Sequence, residues 1–138
     1  MNIGVVLIFM IFCHIVDDYY LQGILAKMKQ QKFWEGSGKK YRNDYIMALY
    51  MHAFSWAFMI MLPVLIAFSL NPPLWFWFNL LFNVCLHAMI DNLKCNELKI
   101  NLIQDQLIHL AQILITWIMY VLEFYLGWKL LKIQTRKL

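Results

Sequence analysis

The sequence predicts an all-α fold, an integral membrane bundle of four helices with both termini on one side. Of the 138 residues, 62% are hydrophobic and only 14% are charged, whereas a soluble domain carries about 25% charged residues. No Asp, Glu, Lys or Arg occurs between positions 45 and 90, a stretch long enough for two spans of about 20 residues each. Because helices satisfy their own backbone hydrogen bonds in lipid, the apolar segments are expected to cross the membrane as helices.

The four spans are expected at residues 3–25, 45–70, 74–93 and 102–128, within a single transmembrane domain. A polar connection with the loop signal Gly36-Ser37-Gly38 follows the first span. Asn71-Pro72-Pro73 separates the second and third spans, since adjacent prolines cannot continue a helix. A short charged connection precedes the fourth span, and a basic tail follows it.

The distribution of basic residues predicts the orientation. Cytoplasmic connections are enriched in Lys and Arg, so the connections are predicted to be cytoplasmic and the termini outside. The connections carry Lys27, Lys29, Lys32, Lys39, Lys40, Arg42, Lys94 and Lys99, against Lys129, Lys132, Arg136 and Lys137 on the terminal side. This pattern accounts for the net charge of +4 as a topology signal. The expected partner is therefore the lipid bilayer, and no nucleic acid is expected.

The order of histidine and aspartate along each span predicts how deep each residue lies in the membrane. In spans one and three a His precedes an Asp by four residues, and in span four, which runs the other way, the Asp comes first. The pairs are His14 and Asp18, His87 and Asp91, and Asp105 and His109. Residues four apart share a helix face, so each His is predicted to lie deeper than its Asp. His52 of span two is expected to join the histidine layer.

This set predicts a metal site. Ionisable residues within spans are costly and usually functional, and imidazole with carboxylate is the ligand set of divalent transition metals such as Zn, Mn, Fe or Ni. Zinc is the first expectation, bound as one ion or as two that share a bridging carboxylate. Hydrogen bonding between helices and a proton or ion pathway are the alternative interpretations. The predicted ligands are His14, Asp18, His52, His87, Asp91, Asp105 and His109.

A bound metal would generate a hydroxide nucleophile from water at neutral pH. Asp18, Asp91 and Asp105 are the predicted catalytic carboxylates, which bind metal or activate water. Lys94 is the predicted catalytic cation, steering an anionic substrate group. It lies seven residues after His87 on the same face, so it would alternatively neutralise Asp91 or extend to the membrane interface.

Neighbouring polar residues have separate interpretations. On an α-helix Asp17 points about 100° away from Asp18, so it is expected to face another helix or the headgroup region. Gln22 and Gln106 would bind the metal, donate hydrogen bonds that orient the ligands or join neighbouring helices, and the orienting role is the first expectation.

At these residues the chain resembles a family of small bacterial and phage membrane proteins known only as a domain of unknown function. The resemblance covers most of the chain but not the loop at residues 29–44. It implies that these residues act as one site in a bacterial cytoplasmic (inner) membrane, and it implies no reaction. More loosely, the spans resemble membrane-bound metal-dependent hydrolases. The residues that carry the resemblance are His14, Asp18 and Gln22, then His52, then His87, Asp91 and Lys94, and finally Asp105, Gln106 and His109.

Three functions follow as hypotheses. The first is a metal-dependent hydrolase that acts on a lipid or phosphate ester, approached from the membrane plane or the basic face. The second is a metal-ion or proton transporter or channel component. A pathway through one chain needs polar groups at every depth, and the terminal-side halves of spans two and three are interpreted as almost wholly apolar. A homo-oligomer, such as a dimer, would provide another route for ions.

The third hypothesis is a phage or host accessory protein that binds another membrane protein.

Overall fold

The structure is a computed structural model that describes residues 2–135, with side chains described as far as Gly127. All regular structure in this range is helical, which confirms the predicted all-α class. The four basic residues counted on the terminal side fall beyond the described side chains: Lys129 and Lys132, and further on Arg136 and Lys137, which lie outside the described residues.

The first helix, α1, spans Ile3–Val16 and continues as a π-helical turn over Asp17–Leu21. Its N-terminus is capped by Asn2, whose side chain accepts a hydrogen bond from the amide of Gly4 at 2.9 Å. The helix ends before the predicted residue 25 because Gly23 takes a left-handed conformation, with φ of 51°.

The first connection has more structure than a loop signal implies. A short helix, α2, spans Leu25–Met28, and single 3₁₀ turns follow at Gln31–Trp34 and Lys39–Tyr41. Gly36 and Gly38 have φ of 91° and 89°, values that favour glycine, so the predicted loop signal is confirmed.

Three long helices complete the fold. They are α3 at Asp44–Ala67, α4 at Leu74–Cys95 and α5 at Leu102–Thr135. Left-handed residues follow the end of α3, with φ of 61° at Leu70. The two prolines lie between α3 and α4, where the sequence predicted a break.

The long helices pack as a ring in the order α1, α3, α4 and α5, with α5 closing against α1. Four helical segments are long and apolar enough to cross a membrane, as predicted. In the half of the bundle nearer the terminal side, the core is filled by fully buried apolar side chains such as Met10, Ile60 and Val64. The outer surface is also apolar, and Phe12, for example, is 59% exposed. An apolar exterior around a partly polar interior suits a lipid environment.

Candidate metal centre

The four histidine rings lie together in the bundle. His87 stacks on Trp56 and on His109, with ring centroids 4.2 Å and 4.3 Å away, and the rings of Trp56 and His109 are 5.2 Å apart, so the three rings form a compact group. His52 lies 5.1 Å from His87, and His14 lies 5.9 Å from His109. All four histidines are almost fully buried. Their convergence from four helices, predicted from helix direction and spacing, is confirmed.

Trp56 holds this layer together, and sequence reasoning missed it. Its indole Nε1 donates a hydrogen bond to Nδ1 of His14 at 2.8 Å, while the same ring stacks on His87. Trp56 is 0% exposed. The available signal was its position four residues after His52 on α3, which places both on one helix face.

Three ligand atoms form a compact triangle at the centre. The Nε2 atoms of His52 and His87 are 3.2 Å apart. Oδ2 of Asp91 lies 3.3 Å from Nε2 of His52 and 3.6 Å from Nε2 of His87. Ligands at usual bond lengths on a tetrahedral zinc ion are separated by about 3.3 to 3.5 Å. The three atoms are therefore spaced like three ligand atoms that form one face of a zinc coordination tetrahedron.

Two overlapping clusters of buried groups could hold a metal ion. Asp18, His52 and His87 form one, and His87, Asp91 and His109 form the other, with the ligand atoms of each within 4.8 Å of one another. Oδ1 of Asp18 is 3.5 Å from Nε2 of His52, so it adjoins the triangle. Within the described residues, neither cluster includes His14 or Asp105, which were also predicted as ligands.

His109 and Asp105 form a pair beside the triangle. Nε2 of His109 lies 3.4 Å from Oδ1 of Asp105 and 3.8 Å from Oδ1 of Asp91. Both ring nitrogens of His109 and Oδ1 of Asp105 are buried without a hydrogen-bond partner among the described residues. Buried polar atoms are nearly always satisfied, so these atoms are suited to bind water, substrate or an ion.

Asp17 also enters the site, and the predicted site did not include it. Its Oδ1 accepts a hydrogen bond from Ser55 Oγ at 2.6 Å, and its Oδ2 lies 3.7 Å from Nδ1 of His52. Of the two orientations the sequence allowed, Asp17 thus takes the one towards another helix. Both Asp17 and Asp18 are directed inward, at the point where α1 becomes a π-helix. Such turns often occur at functional sites, and nothing in the sequence marked this one.

Asp17 is the carboxylate next to His52, but the 3.7 Å separation is longer than a hydrogen bond, and neither Oδ2 of Asp17 nor Nδ1 of His52 has a hydrogen-bond partner among the described residues. A histidine that binds metal through one nitrogen usually donates its other N–H to a carboxylate or carbonyl oxygen. Asp17 lies on the Nδ1 side of His52, while Nε2 of His52 faces the triangle. The serine hydrogen bond fixes Asp17 in turn.

Two lysines neutralise the acids, and the sequence analysis considered only Lys94 for that role. Nζ of Lys29 lies 2.6 Å from Oδ2 of Asp91, and Nζ of Lys94 lies 2.6 Å from Oδ2 of Asp105. The cation that neutralises Asp91 is therefore Lys29, which was counted only as a topology residue, and not Lys94. Lys29 can reach inward because Asn96, after α4, donates a side-chain hydrogen bond to its carbonyl oxygen at 3.2 Å.

The charges of the site do not cancel within the protein. Four buried or nearly buried carboxylates face two lysines, which leaves two negative charges when the histidines are neutral. Uncompensated buried charge is strongly unfavourable. One divalent cation would cancel this excess, as would two protons on the histidines. The donor set and the charge both fit a divalent metal.

The two glutamines contact the acids of the site in different ways. Nε2 of Gln106 donates to Oδ2 of Asp105 at 3.0 Å and lies 3.4 Å from Oδ2 of Asp18. Nε2 of Gln22 donates to the carbonyl oxygen of Asp18 at 2.8 Å. Gln106 therefore helps to orient carboxylates, whereas Gln22 mainly binds the backbone of Asp18 and approaches its Oδ1 only to 3.5 Å.

A second polar network lies between the histidines and the terminal side of the bundle. The sequence analysis expected the terminal-side half of span three to be almost wholly apolar, and this expectation was wrong. Oδ1 of Asn83 accepts a hydrogen bond from Nε2 of Gln112 at 2.8 Å. Nδ2 of Asn83 donates to Oδ1 of Asn79 at 2.7 Å and to Oγ1 of Thr116 at 3.0 Å. All four side chains are buried. The network joins α4 to α5, while the corresponding half of α3 is apolar, as predicted.

Comparison with known proteins finds no family model, no curated protein and no solved structure that matches the chain. The resemblance drawn from the motifs therefore stays a prediction, and the functional argument rests on the geometry of the site.

Proposed function

We propose that the chain is a metal-dependent hydrolase of a bacterial cytoplasmic membrane, with a lipid or phosphate ester as its substrate. The observation that carries the proposal is the triangle formed by Nε2 of His52, Nε2 of His87 and Oδ2 of Asp91, with edges of 3.2, 3.3 and 3.6 Å. With the connections on the cytoplasmic side, this site lies in the cytoplasmic half of the bundle and the termini lie outside.

The residues divide into roles by position. His52, His87 and Asp91 would hold one ion, zinc first among candidates, with Asp18 at the edge of its coordination sphere. The ion would supply a hydroxide nucleophile at neutral pH. The neighbouring His109 and Asp105, with atoms 3.4 Å apart, are the candidate proton acceptors.

The two lysines would serve different purposes. The side chain of Lys29 is only 6% exposed, so it holds Asp91 and has little access to a substrate. The side chain of Lys94 is 29% exposed, so its ammonium has more access to an anionic substrate group than that of Lys29.

Transport of protons or metal ions is a second candidate function, and the polar network around Asn83 favours it. Asn83 and Gln112 extend the polar groups from the histidine layer towards the terminal side. Against it, the α3 wall at this depth consists of Ile60, Met61 and Val64, all 0% exposed. An apolar wall interrupts a continuous path for ions in one chain.

Metal analysis tests the proposal. Wild-type protein, purified in detergent after growth with zinc, is compared with His87→Ala and with His14→Ala, a buried histidine outside both clusters. We expect one zinc ion per chain in the wild type and in His14→Ala, and loss of zinc in His87→Ala. Gel filtration of each variant checks that it is folded. Wild-type protein that holds no metal, yet carries proton flux in liposomes, would replace the hydrolase proposal with the transport one.

A further inference from the structure

A cleft between α1 and α5 reaches the histidine layer from the side of the bundle. Its volume is about 540 Å³. Ile11 and Ile15 form the α1 wall and Leu110 part of the α5 wall, while His14 and Gln106 contribute the polar groups. Tyr19 and Tyr20 complete the lining, so the cleft has aliphatic walls, two phenol rings and polar groups where it meets the site.

The surroundings of the cleft are apolar as well. On α1 Phe12 is 59% exposed, and on α5 Leu107 and Leu114 are 60% and 46% exposed. In a bilayer these faces would contact acyl chains, so the cleft would open to lipid rather than to water. The basic residues Lys39 and Arg42 line a different cavity, in the first connection.

His14 presents a hydrogen-bond donor because of Trp56. An indole N–H can only donate, so Nδ1 of His14, 2.8 Å from Nε1 of Trp56, is an unprotonated acceptor. The neutral ring then carries its proton on Nε2. Oδ2 of Asp18 lies 3.5 Å from the same Nδ1, but the shorter contact with the obligate donor decides the tautomer. Nε2–H is therefore the ring position that can donate to a ligand.

We propose that this cleft admits a membrane lipid from the plane of the bilayer, with an acyl chain along Ile15 and Leu110 and an ester carbonyl oxygen at Nε2–H of His14. A neutral acceptor is indicated because the side chains that line the cleft include no lysine or arginine, whereas a phosphate would require a cation or several N–H donors. The inference rests on the proposed hydrolase function, and it selects a lipid acyl ester from the two substrate classes.

Blocking the cleft tests the proposal. Leu110→Trp places a bulky ring in the cleft, and Ile15→Trp does so from the opposite wall. Phe82→Trp is the matched control, because it adds a similar ring at a residue of α4 that is 56% exposed and does not line the cleft. The probe is a diacyl phosphatidylethanolamine titrated into detergent-solubilised protein, with bound lipid counted by native mass spectrometry. We expect one lipid per chain in the wild type and the control, with affinity weakened at least about tenfold in both cleft variants, a change of about 1.4 kcal/mol.

His14→Phe keeps a ring of similar shape but removes the donor, so its lipid affinity is also expected to fall while Phe82→Trp is unaffected. Equal affinity in the wild type and both cleft variants would overturn the inference. The zinc content of the same samples separates the two proposals. If every variant holds zinc and lipid binding is unchanged, the lipid cleft is rejected but the metal site is not. If the wild type holds no zinc and its lipid binding still depends on the cleft, the metal-dependent hydrolase is rejected but the lipid cleft is not.

Discussion

The ammonium of Lys29 lies 2.6 Å from Oδ2 of Asp91, although the two residues are 62 positions apart in the chain. Lys29 belongs to the connection between α1 and α3, and Asp91 to the face of α4 that carries His87. The connection is therefore part of the buried site, and its conformation determines whether the central carboxylate is neutralised.

Replacing Lys29 by methionine should destabilise the protein. The substitution keeps the length of the side chain but leaves Asp91 without its cation, and loss of one partner of a buried ion pair costs about 3 to 5 kcal/mol. Thermal unfolding in detergent measures the effect. Lys27→Met, which replaces an exposed lysine of the same connection, should unfold within a degree or two of the wild type. Equal melting temperatures for both variants would show that the Lys29 pair does not stabilise the fold.

Replacing Asp17 by asparagine should weaken metal binding without removing a ligand. The variant removes a negative charge 3.7 Å from Nδ1 of His52, and that charge favours a proton on Nδ1 and so leaves Nε2 free to bind. Because the two atoms are beyond hydrogen-bond distance, we expect a loss of metal affinity of about 10-fold, the low end for carboxylates beside a ligating histidine. Competition with a zinc chelator gives the affinity. Asp44→Asn at the exposed start of α3 is the control. An unchanged affinity in Asp17→Asn would remove Asp17 from the site.

Chelation should lower the stability of the wild type. A metal that binds only the folded state stabilises it by about 2.7 kcal/mol at a hundredfold excess over the dissociation constant. Adding zinc back should restore the melting temperature. His87→Ala, which lacks a corner of the ligand triangle, should show neither effect. A chelator shift of the same size in His87→Ala would place the metal elsewhere.

Replacing Trp56 by phenylalanine should release the ring of His14. The aromatic stack on His87 is largely kept, but the 2.8 Å hydrogen bond to Nδ1 is lost. Leaving a buried acceptor unsatisfied costs about 1 to 3 kcal/mol. Nitrogen NMR of labelled histidine should show His14 protonated on Nε2 in the wild type and a mixture of tautomers in the variant. Detection of the Nδ1–H form in the wild type would contradict the assigned hydrogen bond.

Replacing Asn83 by leucine should separate the two candidate functions. The variant disrupts the network with Gln112 and Thr116 but leaves the ligand triangle in place. We expect lower stability, unchanged zinc content and unchanged hydrolysis of a lipid ester. A liposome assay that shows ion flux in the wild type and none in Asn83→Leu would favour transport.

Local sequence patterns were sufficient for the helices and for the meeting of the histidines. The spacing of His87 and Asp91 places both on one face, and the reversed order of Asp105 and His109 compensates for the reversed direction of α5. These relations depend only on the helix period and on alternating chain direction, so they can be inferred before any contact is known.

The sequence by itself determined that four apolar helices bring imidazoles and carboxylates together inside a bundle. Only the tertiary structure decided which atoms meet. A π-helical turn brings Asp17 beside His52, a hydrogen bond from Asn96 holds Lys29 over Asp91, and the indole of Trp56 sets the proton of His14. Each of these depends on contacts between segments far apart in the chain, and the periodicity of a single helix carries no information about such contacts.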